Sequence, residues 1–121
     1  MTRSRARFRL LAITTTILGV GLASAASAQV AYKPCKPVVN PYAETRYEGS
    51  DLYRIRALEV SCRTARRVAR RGHYKALAAT PDTSGFVHVT YRRWRITGDL
   101  RGDTDRYVAR AAGGKRVRWL F

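Results

Sequence analysis

Acidic side chains are scarce in this 121-residue chain: eight Asp and Glu stand against 24 Lys and Arg, a formal net charge of +16 with His neutral. Charge of that size bears on partners and solubility rather than on fold, and it directs attention to polyanions and anionic surfaces. Histidine and cysteine are rarer still, with two of each. A hydrolase needs a nucleophile, a base and an orienting group within hydrogen-bond reach, and neither His73 nor His88 lies in a recognisable catalytic motif. The expectation is therefore a protein that is not an enzyme and that carries no cofactor and no metal. Asp99, Asp103 and Asp105 crowd one turn, but their spacing matches no EF-hand loop, and Arg101 and Arg106 stand beside them to neutralise their charge. Helix-turn-helix, ribonucleoprotein and zinc motifs are absent, so specific nucleic-acid recognition of those kinds is not expected.

A long apolar run is also missing. The uncharged stretch from Leu10 to Ala23 contains Thr14, Thr15 and Thr16 and falls short of the roughly 18 apolar residues that a membrane span needs. It follows Arg3, Arg5, Arg7 and Arg9, with no acid among the first nine residues, and precedes Ala26-Ser27-Ala28. Basic region, apolar region and A-x-A site occur in the order of a secretory signal peptide. Residues 1–28 are expected to be removed, leaving Gln29 first in the mature chain; the alternative is a retained membrane anchor. The n-region has no twin-arginine pair, and no cysteine follows the cleavage site directly. The mature chain of 93 residues keeps 20 basic and all eight acidic residues, for a net charge of +12. That length supports a single modest core, placed outside the cytoplasm, secreted or associated with the cell envelope, with no transmembrane span.

Cys35 and Cys62 both survive into that mature chain, 27 residues apart. In an oxidising compartment two cysteines allow one intramolecular disulfide, against the alternative of a free thiol or an intermolecular bond. Residues 29–50 hold Pro34, Pro37 and Pro41 with little periodicity and read as an extended arm, tied to the domain chiefly through Cys35. Residues 51–121 form the domain proper. A short strand starts near Leu52, with Tyr53, Ile55 and Ala57 on one side and Arg54 and Arg56 on the other, and breaks near Leu58. Ser61 is placed to cap a helix from Cys62 to about Arg71, ended by Gly72 in a left-handed conformation. His73–Ala79 reads as a further turn or two of helix at most.

Beyond the Thr80–Gly85 loop, Phe86–Thr97 is rich in β-branched and aromatic residues but changes phase at Arg92-Arg93, as a bulged strand or two short strands would. Gly98–Asp105 reads as a polar turn and Arg106–Ala111 as a strand. Gly113-Gly114 reads as a hairpin turn and Arg116–Phe121 as the last strand. The expected fold class is α+β, one amphipathic helix on an antiparallel sheet of three or four strands.

The runs Val60–Ala69, Tyr91-Arg92-Arg93-Trp94-Arg95-Ile96 and Arg106–Arg110 through Gly113-Gly114 to Trp119 resemble a group of small secreted actinobacterial proteins. Those share a V-S-C-x-x-A-x-x-V-A helix followed by an antiparallel strand hairpin. The resemblance spans roughly residues 52–121 and implies this fold and export, but no activity. That group tends to carry cysteines in two C-terminal strands where this chain has Ile96 and Ala109, which implies that these two residues are close in space.

One feature stands above the background. At about 100° per residue, Arg63, Arg66, Arg67, Arg70 and Arg71 share a helix face opposite Cys62, Ala65, Val68 and Ala69. Together with Arg92 and Arg93 they form the candidate anion-binding set, joined by Arg95, Arg116 and Arg118 on strands. The expected function is non-enzymatic binding of an anionic envelope polymer or membrane surface. Its rival is a secreted toxin or inhibitor with a protein partner, anchored by Trp94, Trp119 and tyrosines.

Overall fold

The computed structural model describes residues 31–121, together with the isolated positions 19 and 21; the expected export signal and its cleavage site lie outside the described residues. The elements are β1 (Lys33–Pro34), β2 (Tyr53–Leu58), α1 (Cys62–Ala78), β3 (Phe86–Tyr91), β4 (Trp94–Asp99), β5 (Arg106–Ala111) and β6 (Lys115–Leu120). The class is α+β, as the sequence implies, but the sheet has six strands rather than three or four, all antiparallel, in the order β1-β2-β6-β5-β4-β3. No helix of the described residues is long and apolar enough to cross a membrane.

This strand order explains the helix. β2 and β3 are adjacent in sequence around α1 yet four strand spacings apart in the sheet, about 19 Å at about 4.8 Å per spacing. The ten-residue helix expected from the sequence reaches about 15 Å at 1.5 Å per residue, whereas the observed 17 residues reach about 25 Å and carry the chain across the sheet. α1 therefore continues through Gly72, which is buried inside the helix rather than ending it. A Cβ at Gly72 would lie 2.2 Å from Ile96 Cδ1. The residue is there because the helix passes too close to β4 for any side chain. Ala65, Val68, Ala69 and Ala76 complete a buried helix face of small residues.

The sheet supplies the volume that these small residues leave. Ile55, Val87, Ile96, Tyr107, Val117 and Trp119 are almost wholly buried beneath α1, and Trp94 nearly so. Tyr107 stacks on Trp119 with ring centroids 5.3 Å apart and planes 5° from parallel. Ile96 and Ala109 are direct partners across β4 and β5, as close as the resemblance implies. Gly98 belongs to β4 rather than to the following turn, because the Tyr107 ring and Val87 occupy the space of its Cβ, at 2.5 and 2.7 Å. The phase change at Arg92-Arg93 is a tight turn between two strands, with Tyr91 paired to Trp94.

In β2 the register shifts between Tyr53 and Arg56, around Arg54 at φ 47°. This bulge breaks the alternation read from the sequence: Tyr53 is exposed, and Leu52 is buried instead. The arm is likewise more than a tethered lead. Cys35 and Cys62 form a disulfide with Cα atoms 5.3 Å apart. In addition, β1 pairs with β2, and Val38 bonds Leu52 through both backbone groups at 2.9 and 3.0 Å. Tyr42 is buried, its hydroxyl 2.5 Å from His73 Nδ1. Isolated prolines and tyrosines carry no periodicity from which such docking is readable.

Candidate anion-binding surface

Ser61, at the start of α1, accepts a hydrogen bond from Thr64 N at 3.1 Å, satisfying a first-turn amide that has no helical partner. The cap and the buried alanines fix the helix rotation, so Arg63, Arg66, Arg67, Arg70 and Arg71 all emerge on the exposed side. With Val38 they line a shallow groove of about 310 Å³. Arg66 is partly committed to the fold, since its Nη2 donates to Pro37 O at 3.2 Å. Arg70 and Arg71 also border a groove of about 400 Å³ against Tyr42, Thr45 and Tyr74. Arg92 and Arg93 are exposed in the β3–β4 turn, with the Arg92 guanidinium 5.7 Å from the Tyr91 ring centre.

A second basic surface lies on the opposite side of the molecule. Side chains alternate across a strand, so burying Tyr107, Ala109, Val117, Trp119 and Ile96 under α1 turns Arg106, Arg110, Arg116, Arg118 and Arg95 to the other face, where they are exposed. Arg56 of β2 joins them. Register aligns them into rows: Arg95, Arg110 and Arg116 are successive partners over β4, β5 and β6, and Arg56 is the partner of Arg118. A groove of about 490 Å³ on this face is lined by Arg54, Arg56, Arg106 and Arg118 with Val108 and Leu120. The local alternation was legible in the sequence for Arg95, Arg116 and Arg118. The rows were not, because they depend on which strands are neighbours.

One carboxylate, Asp99, is set against the sheet surface as the cross-strand partner of Arg106. Among the described residues one arginine–carboxylate pair forms, Arg101 with Asp99 at 2.9 Å, and His88 Nε2 lies 3.3 Å from Asp82 Oδ2. The Arg101 guanidinium and backbone hold the Asp99 carboxyl down at about 2. Asp82 is held low by the amides of Phe86 and Ser84, with a further contribution from His88. Burial instead raises Asp105. The turn aspartates thus serve the loop and its arginine, and among the described residues no group of three or more His, Cys, Asp and Glu is placed to hold a metal ion.

The histidines sit in different surroundings. His73 is fully buried in mid-helix, and desolvation lowers it from 6.5 to about 4, so it is neutral at physiological pH. Tyr42, Tyr107 and Phe121 surround its ring at centroid distances of 5.5, 4.8 and 4.2 Å, and its Nε2 has no hydrogen-bond partner among the described residues. His88 is exposed beside Asp82. Both cysteines are consumed by the disulfide. Trp94 and Trp119, the interface anchors of the toxin or inhibitor reading, are core residues. No protein-family model, curated protein or solved structure matches this chain.

Proposed function

We propose that this protein is an exported, non-enzymatic domain that binds anionic polymer of the cell envelope through its arginine surface. The observation that carries the reading is the exposure of arginines on two faces with a single one, Arg101, paired to a carboxylate among the described residues. Guanidinium groups offer planar, bidentate donors to phosphate and carboxylate, and groups not neutralised within the chain are free to meet a partner's anions. Export rests on the basic, apolar and A-x-A order of residues 1–28, and the Cys35–Cys62 bond is compatible with an oxidising compartment.

Retention of the protein on isolated cell envelope, measured across a salt series, tests the reading. Each phosphate neutralised should remove about 0.7 to 0.9 log unit of affinity per log unit of salt, as for nucleic acids. Retention that ignores salt, or elutes with one stoichiometric protein partner, refutes it.

A further inference from the structure

Two basic faces back to back pose the question of which one holds a ligand. The helix stripe resembles an ordinary solvated face: its arginines are spread over three turns, and one of them is bonded to the arm. The sheet face turned away from α1 is different. Like charges placed directly opposite on neighbouring strands destabilise a sheet, yet Arg95 faces Arg110, Arg110 faces Arg116, and Arg56 faces Arg118. The acid on this face in β4, Asp99, is already engaged in both oxygens by Arg101, at 2.9 and 3.0 Å. A surface needing only solubility gains nothing from stacking cations in register; a bound anion removes the repulsion.

Resting on the proposed anion-binding role, we infer that the sheet face turned away from α1 binds a linear phosphodiester polymer without bases, of the poly(glycerol phosphate) kind. The arginines occupy four neighbouring strands, β2, β6, β5 and β4, a width of about 14 Å at about 4.8 Å per strand. Residues two apart on one strand, such as Arg116 and Arg118, are about 7 Å apart along it. A flexible chain that follows Arg95, Arg110 and Arg116 over three strands and steps along β6 to Arg118 and Arg56 meets five guanidinium groups, and opposed pairs can clasp a tetrahedral phosphate from two sides.

Among the described residues this face offers bases few rings to stack on. Single-stranded nucleic acid is held on exposed aromatic platforms, whereas between these arginines lie Thr97, Val108 and Leu120. The rings nearby are already covered: Arg118 lies 4.5 Å over Tyr32 and Arg101 4.4 Å over Phe86. Tyr53, 38% exposed at the end of β2, pairs with Leu120 in the row that leads to Arg106, away from the opposed arginines.

The test is titration of the exported protein with lipid-free poly(glycerol phosphate) across a salt series, with oligo(dT) in parallel. R56Q/R118Q and R110Q/R116Q should each lower affinity about tenfold or more and reduce the salt slope by about 1.4, two contacts at about 0.7 each. R63Q/R67Q on the helix, with the same change in charge, should cost only about twofold. Thermal melts confirm that each variant is folded. Equal or greater loss in the helix variant overturns the choice of face while leaving anion binding intact. Tighter binding of oligo(dT) through the same arginines overturns the choice of polymer in favour of nucleic acid. No binding of either probe by the wild type removes the proposed function as well.

Discussion

Acid should destabilise this protein through His73. The side chain is fully buried between Tyr42, Tyr107 and Phe121, and desolvation holds it at about 4 in the fold, against about 6.5 in the unfolded chain. Between those values the unfolded state binds more protons, so stability falls as pH falls. The contribution is fully present above about 6.5 and is lost progressively as pH drops towards 4. Two and a half pH units at about 1.4 kcal/mol each amount to about 3.5 kcal/mol in full, of which about 2 kcal/mol is gone by pH 5 and about 3 kcal/mol by pH 4. Asp82 and Asp99, both held below 3.8, lose their contributions at lower pH than this window. Urea denaturation at pH 7.5, 6, 5 and 4.5 measures the profile, and H73F provides the control. The variant should be less stable at pH 7.5, because Tyr42 loses its hydrogen-bond partner, but its stability should be flatter between pH 6.5 and 4.5. A wild-type profile that is flat over this range, or one that H73F reproduces, refutes the reasoning.

Three other perturbations read the fold. In an exposed helix interior Gly→Ala stabilises by about 1 kcal/mol; at Gly72 the new methyl meets Ile96 Cδ1, so G72A should lose about 1 to 3 kcal/mol, and a stabilised variant would contradict the helix–β4 contact. C35S/C62S should lose about 3 to 4 kcal/mol, the loop-closure entropy of a 27-residue separation; denaturation midpoints that do not differ from wild type would show that the crosslink is thermodynamically idle. R110T removes the middle of three opposed arginines and should raise stability by about 0.5 kcal/mol; a lower melting temperature would mean that the row is not self-repelling.

The two basic faces differ in what created them. The helix stripe follows from one amphipathic period, with small apolar residues turned inward and arginines outward. The sheet rows follow from the chain's route: β3 starts at the far edge, and β4, β5 and β6 return as a meander until β6 meets β2. That route brings Arg56 opposite Arg118, which lie 62 positions apart in the chain. The helix stripe is therefore visible in the sequence, and the arginine rows of the sheet only in the fold.

Patterns that repeat within a few residues were enough to specify the local elements. The Ser61 cap, the start of α1, the strand Arg106–Ala111 and the turn at Gly113-Gly114 follow from period, capping and turn chemistry alone, and two cysteines admitted a single internal bridge. Tertiary packing decided where those local signals give out. Gly72 looked like a helix stop because glycine's usual role there is a left-handed cap; whether it ends a helix or lets one pass depends on Ile96, 24 residues later. The bulge at Arg54, the burial of Tyr42 on His73 and the opposed arginine rows share that origin. Each is a contact between residues distant in the chain, settled by closure of the sheet under the helix rather than by the residues' own neighbours.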